Sequence, residues 1–231
     1  MSTAGDTQTR TGGTAMASHL AALDAWNAAD VDAQLSQNGY TLLPGLFGST
    51  VAHWQAAHES NDPPNGPLPP AFAVWREALY RRLAPIANRW AQALGESAHF
   101  PPELAEFDTL NRAARQNTPL SQVSRLNAGA EVALRQDTAG TLVFPLQVIG
   151  LLSVPDADFT GGAFILVEQR PRMQSRPSVV PLRCGDAAII CTGLRPVRGS
   201  QGIYRVNVRH AISRVRSGQR VGLSLSFHGA P

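Results

Sequence analysis

Asp137, His210 and Arg220 bring a carboxylate, an imidazole and a guanidinium into the second half of a 231-residue chain, and Arg135 stands two residues before the first of them. Residues two apart on an extended segment project to the same side, so Arg135 and Asp137 share a face. A carboxylate and an imidazole on neighbouring strands are two of the three donors that non-haem iron(II) takes on one octahedral face; a second imidazole completes the set. The opposite face then serves a bidentate oxo acid and O₂, with an arginine gripping the acid's far carboxylate. Arg220, ten residues after His210, stands where such an arginine belongs. Position 135 is where the second imidazole is expected. Its guanidinium stays protonated and offers no lone pair, so it is expected to pair with Asp137 and take the metal's place.

Such a set needs a rolled sheet to close it. After Pro119 the chain breaks into short β-type runs separated by Gly, Asp and Pro: 122–126, 131–134, 142–154, 163–168, 178–182, 187–192, 204–208 and 222–227. Eight runs at this spacing predict an antiparallel sandwich or barrel, in which the strand holding 135–137 and the strand ending at His210 meet at one mouth. Arg220 is expected to open the last strand after a turn at Ser217-Gly218, and Gly161-Gly162 and Gly185-Asp186 read as further turns.

The first half reads as helical. Helices are expected over 19–35, 49–58 and 103–116, with Asn38-Gly39 stopping the first and a short strand over 40–43. The longest pattern, 71–94, carries Phe72, Trp75, Leu79, Leu83, Ile86, Trp90 and Leu94 on one face, and Pro85 is expected to kink or divide it. The Pro-rich stretch 62–70 reads as a surface loop. The predicted class is α+β: a jelly roll of about eight strands buttressed by N-terminal helices. Residues 19–231 form one expected domain, with 19–118 as buttress and 119–231 as core, behind a disordered Ser/Thr/Gly/Ala tail over 1–18.

Composition narrows the chemistry. All 20 basic residues are arginine, which excludes a Schiff-base lysine and a lysine-bearing phosphate loop. From Arg170 onward there are eleven arginines against one acid, Asp186. That field suits nucleic acid, an acidic substrate or a carboxylate co-substrate, or is a set of solvated strand-edge charges. Cys184 and Cys191 are the only cysteines and have no metal spacing, so free thiols and a reducing, cytoplasmic setting are expected. Neither a signal peptide nor a membrane span is expected. His19, His53, His58 and His99 read as solvated, and His228 is the one further imidazole that could approach the site as a surrogate ligand.

FTGGAFILVEQRPRMQSRPSVVPLRCGDAAII (159–190), YRVNVRHAISRVRSGQRVGLSLSFH (204–228), NGYTLLPG (38–45) and LYRRLAPIANRWAQALG (79–95) together resemble a bacterial family of 2-oxoglutarate/Fe(II)-dependent oxygenases. The resemblance implies a double-stranded β-helix, iron held by an HxD motif and a distal histidine, and 2-oxoglutarate held by a last-strand arginine. Carried over by position, it makes Asp137 and His210 the metal ligands and Arg220 the co-substrate clamp, with Arg135 on the first histidine. The family is linked to oxidative demethylation of alkylated DNA. Further departures sit nearby: Leu126, Ala130 and Val132 where an aromatic and an Asp or Asn are expected, and Cys191-Thr192-Gly193-Leu194 where a histidine-bearing run is expected. The readings left open are an oxygenase that hydroxylates or demethylates an unknown, nucleic-acid or other, substrate; a catalytically silent relative that binds an anionic ligand, nucleic acid or a protein; and new chemistry at an altered metal site. The expected small-molecule partner is 2-oxoglutarate or another small carboxylate.

Overall fold

One long amphipathic helix organises the first half of the chain. In the computed structural model, which describes residues 23, 26–57, 65–170, 172–200 and 202–231, the helices are α1 (Ala28–Asn38), α2 (Gly48–Ala57), α3 (Pro70–Leu94) and α4 (Leu104–Ala113). The expected tail and residues 19–22 of the first helical pattern lie outside the described residues. In α3, Phe72, Trp75, Leu79, Leu83, Ile86 and Trp90 are buried, as helical spacing requires. Pro85 neither ends nor divides it: α3 runs 25 residues through it. The proline lies on the exposed face, where water can take the carbonyl left without its helical N–H, while the buried stripe holds the helix on both sides.

The strands are β1 (Tyr40–Leu43), β2 (Asn65–Pro67), β3 (Thr118–Pro119), β4 (Gln122–Asn127), β5 (Val132–Arg135), β6 (Leu146–Leu151), β7 (Phe159–Gly161), β8 (Phe164–Gln169), β9 (Arg176–Val180), β10 (Ala187–Cys191), β11 (Leu194–Gly199), β12 (Gly202–Ile212), β13 (Val215–Leu225) and β14 (Gly229–Ala230). Among the described residues the first sheet runs β1-β10-β6-β13-β4-β2 with β7 also on β13, and the second runs β11-β12-β8-β9 with β5 also on β12. Every ladder is antiparallel. This is the curled jelly roll expected, with more strands than eight because β3, β7, β11 and β14 form outside the expected runs.

Four expectations need correction. The run over 142–154 is a strand only from Leu146 to Leu151, since Pro145 supplies no N–H to a ladder. Within the expected loop over 62–70, Asn65–Pro67 pairs with β4 as an edge strand, where a proline's missing donor does no harm. Ser217-Gly218 is no turn: β13 starts at Val215 and passes through both, with a register shift and a φ of 71° at Gly218 as it leaves β7. Arg220 therefore lies mid-strand. Likewise β12 does not end at His210 but continues to Ile212.

A buried ion pair joins α1 to the second sheet. Arg195, fully buried on β11, donates from Nε to Glu168 Oε1 on β8 at 2.7 Å, and from Nη1 to Leu35 O and Ser36 O in the last turn of α1 at 3.2 and 2.8 Å. The cation thus meets a carboxylate and the negative end of a helix at once. Gly39 closes α1 at φ 79°, and a Cβ there would sit 2.5 Å from Glu168 Oε1, so only glycine serves both turn and pair. Arg195→Leu should cost about 3–5 kcal/mol by urea unfolding, because it leaves the buried Glu168 carboxylate with only the longer contact to Arg170 at 3.6 Å. The double variant Arg195→Leu, Glu168→Leu should cost distinctly less than this single change; a double variant that is worse than the single one would show that the charges themselves stabilise the fold.

Candidate functional site

Between the two sheets lies a cavity of about 450 Å³ whose wall includes Arg135, Asp137, Gln147, Phe164, His210 and Arg220. Arg135, at the end of β5, pairs in register with His210 on β12, so the strand before the HxD position and the histidine strand are ladder neighbours. Asp137 follows on an extended segment, and alternation turns its side chain to the same side as Arg135 while Gln136 faces away. Gln136 Nε2 donates to Val208 O at 2.8 Å and Asn207 Oδ1 at 2.6 Å, pinning the segment to β12.

Arg135 Nη2 stands 3.1 Å from Asp137 Oδ1, and His210 Nε2 stands 3.4 Å from Asp137 Oδ2. One carboxylate therefore spends both oxygens on a guanidinium and an imidazole. Burial alone would raise the Asp137 carboxyl, but its bond to His210 and the charges of His210 and Arg135 outweigh burial and hold it below the usual carboxylate range. His210 is buried, stacked on Phe164 with ring centroids 5.7 Å apart, and its Nδ1 lies 3.4 Å from Gln147 Nε2.

His228 does not enter as a surrogate ligand. Its Nε2 lies 3.0 Å from the backbone carbonyl of Asp137, and Phe144 N–H points at its Nδ1 at 3.4 Å. Burial pushes its pKa down more than the bond to that carbonyl lifts it, so it is a neutral prop that donates to the Asp137 backbone. The neighbouring Phe227 and Phe144 pack at 5.0 Å within a cluster that includes Tyr80 and Phe107. His99 is exposed, while His19 and His58 and the His53 side chain lie outside what is described.

Arg220 comes from β13 on the opposite sheet. It is 2% exposed, and its Nε donates to Gly162 O at 2.9 Å. Its Nη1 is buried with no hydrogen-bond partner among the described residues. Burial pushes the guanidinium down to about 10, which leaves it charged at neutral pH. Two glycines make room: a Cβ at Gly222 would lie 2.5 Å from Arg220 Nη1, and one at Gly162 would lie 2.8 Å from its Cδ. Of the eleven arginines from 170 onward only Arg195 and Arg220 are buried, the first paired with Glu168 and the second facing the cavity.

Reasoning from sequence passed over Gln147 and Gly222, and read Gly162 as a turn only. Gln147 leaves a signal: it is the one polar side chain in the fully buried run Leu146–Leu151. Like Arg220 Nη1, its Oε1 is buried without a partner.

The donor set does not fit iron. Asp137 and His210 supply two donors, the third direction holds a guanidinium, and among the described residues no three His, Cys, Asp or Glu side chains come together to hold a metal. The far carboxylate of an acid does fit, against the unpaired Arg220 Nη1. Cys191, fully buried with its thiol pushed up to about 12 by burial, offers no nucleophile.

Comparison with known proteins agrees with this architecture. Residues 65–230 match the family model Oxygenase-NA, described as an oxygenase catalysing oxidative methylation of damaged DNA. Two uncharacterized proteins of Mycobacterium tuberculosis, MT2286 and Rv2227, are each 42% identical over 164 residues, which is 71% of this chain and 70% of theirs. Among solved structures, a Burkholderia pseudomallei oxidoreductase of the 2OG-Fe(II) oxygenase family superposes with TM-score 0.52 at 18% identity, over 89% of this chain and 93% of its own. A Phytophthora capsici prolyl 4-hydroxylase gives TM-score 0.51 at 13% identity, over 87% of this chain and 62% of its own. These two likenesses concern the fold alone. No helix among the described residues is long and apolar enough to cross a membrane.

The Asp137 carboxyl has a depressed folded pKa, so its contribution to stability is present above its unfolded value of 3.8 and is lost as pH falls through the lower folded one. Asp137→Asn should therefore lower stability by about 1–2 kcal/mol at pH 7. Urea unfolding at pH 7, 5 and 3 should show that gap closing only below about 4; a gap unchanged at pH 3 refutes the assignment.

Proposed function

The chain belongs to the Oxygenase-NA family of oxygenases, and we propose that it is a member whose metal position is taken by Arg135 and whose cavity binds a small carboxylic acid without iron. The observation that carries this reading is the contact of Arg135 Nη2 with Asp137 Oδ1 at 3.1 Å. A divalent cation and a guanidinium compete for the same negative charge, and only the guanidinium is covalently held there. Asp137 and His210 are the residues that match the family's metal ligands, and Arg220 is the residue that matches its co-substrate clamp. On this reading the first two have exchanged iron for an internal cation, while Arg220 keeps its carboxylate partner. No oxygen chemistry is assigned to the site.

A second reading keeps the family's oxygenase reaction, on nucleic acid or another substrate. Two observations favour it: the Arg135 side chain is 51% exposed, so it can leave Asp137 at little cost, and Arg172, Arg176, Arg198, Arg205, Arg209, Arg214 and Arg216 are exposed where phosphates could meet them.

Anaerobic titration with Fe(II) and 2-oxoglutarate separates the two. The unmodified protein should give no visible charge-transfer band, and Arg135→His should create one. A normal band in the unmodified protein overturns the metal-free reading. In EDTA, calorimetry should still register glutarate or 2-oxoglutarate, and Arg220→Gln should weaken that binding at least tenfold, since it removes the one charge-assisted partner.

A further inference from the structure

Gln147 lines the same cavity and leaves one polar atom unpaired there among the described residues. An ionised carboxylate faces His210 Nε2 at 3.4 Å, and a bare nitrogen lone pair there would repel it, so Nε2 carries the hydrogen. The other ring nitrogen, Nδ1, faces Gln147. Gln147 answers it with its amide nitrogen at 3.4 Å, which turns Oε1 away from the ring. That oxygen is buried without a partner among the described residues, on a side chain that is 1% exposed and lines the cavity.

Two unpartnered polar atoms therefore face one cavity: a cationic donor, Arg220 Nη1, and a neutral acceptor, Gln147 Oε1. Leaving either unpaired costs more than a typical hydrogen bond returns. The complementary ligand carries an anion for the first and an N–H or O–H for the second. An oxo group has no hydrogen to give to that oxygen.

We infer that the site selects small carboxylic acids bearing a hydroxyl or amino donor over the corresponding oxo or unsubstituted acids, with Gln147 as the specificity-determining residue. The inference rests on the metal-free reading of the site given above. It differs from the preference an iron centre imposes, since chelation there demands the oxo group.

The test is isothermal calorimetry on the full chain in EDTA at pH 8, with 2-hydroxyglutarate (both enantiomers), 3-hydroxyglutarate and glutamate against glutarate and 2-oxoglutarate. At least one donor-bearing acid should bind about tenfold more tightly than both donor-free acids. Gln147→Leu should level the series while retaining carboxylate binding, and Arg220→Gln should weaken every acid alike. If glutarate or 2-oxoglutarate binds as tightly as every donor-bearing acid, the selectivity is wrong although the metal-free site stands. If no acid binds until Fe(II) is added, the metal-free reading fails and this inference fails with it. The comparison on the unmodified protein decides the matter even if the Leu variant does not fold.

Discussion

A single carboxylate ties together the polar groups on one side of the mouth of the roll. Asp137 accepts from Arg135 on one oxygen and from His210 on the other, and its own backbone carbonyl takes the hydrogen of His228. Asp137 is therefore paired on both oxygens, and on the far side of the imidazole the Gln147 amide nitrogen stands 3.4 Å from His210 Nδ1, which leaves Oε1 unpaired among the described residues.

The scaffold around Asp137 explains why one carboxylate can govern so much. Its segment is held from behind by Gln136 on the backbone of β12, and from beside by His228 at the edge of the aromatic cluster of Tyr80, Phe107, Phe144 and Phe227. Neither prop lines the cavity that Arg135, Asp137 and Arg220 share. On the facing sheet, Arg220 reaches the cavity only because β13 shifts register near Ser217 and because Gly162 and Gly222 leave space beneath its side chain. The mouth is built from two separately anchored halves, one acidic and one basic.

Much of this was legible in the chain because it depends on local rules. Period-two alternation put Arg135 and Asp137 on one side, helical periodicity named the buried face of α3, and the short β-runs after Pro119 announced a rolled antiparallel sheet. What escaped depends on partners distant in sequence. Pro85 looked like a helix breaker until its exposed placement was known, and Ser217-Gly218 looked like a turn because a bulge uses the same residues. Gln147 sits in an apolar run whose burial was predictable. The direction its amide faces was not, since that depends on a histidine 63 positions away.

The two buried arginines of the C-terminal third show what separates scaffold from site in a chain whose basic residues are all of one type. Arg195 meets Glu168 and two carbonyls at the end of α1, so its charge is compensated inside the fold and it asks nothing of a ligand. Arg220 is almost as deeply buried but has a single carbonyl, Gly162 O, for company. A buried cation without a countercharge is destabilising, and the two glycines that accommodate it contribute no packing of their own. A fold selected for stability alone would fill that space with an apolar side chain at lower cost. An anion sharing the cavity would offset that cost, and it is this imbalance, rather than the number of arginines, that supports the proposed role of Arg220.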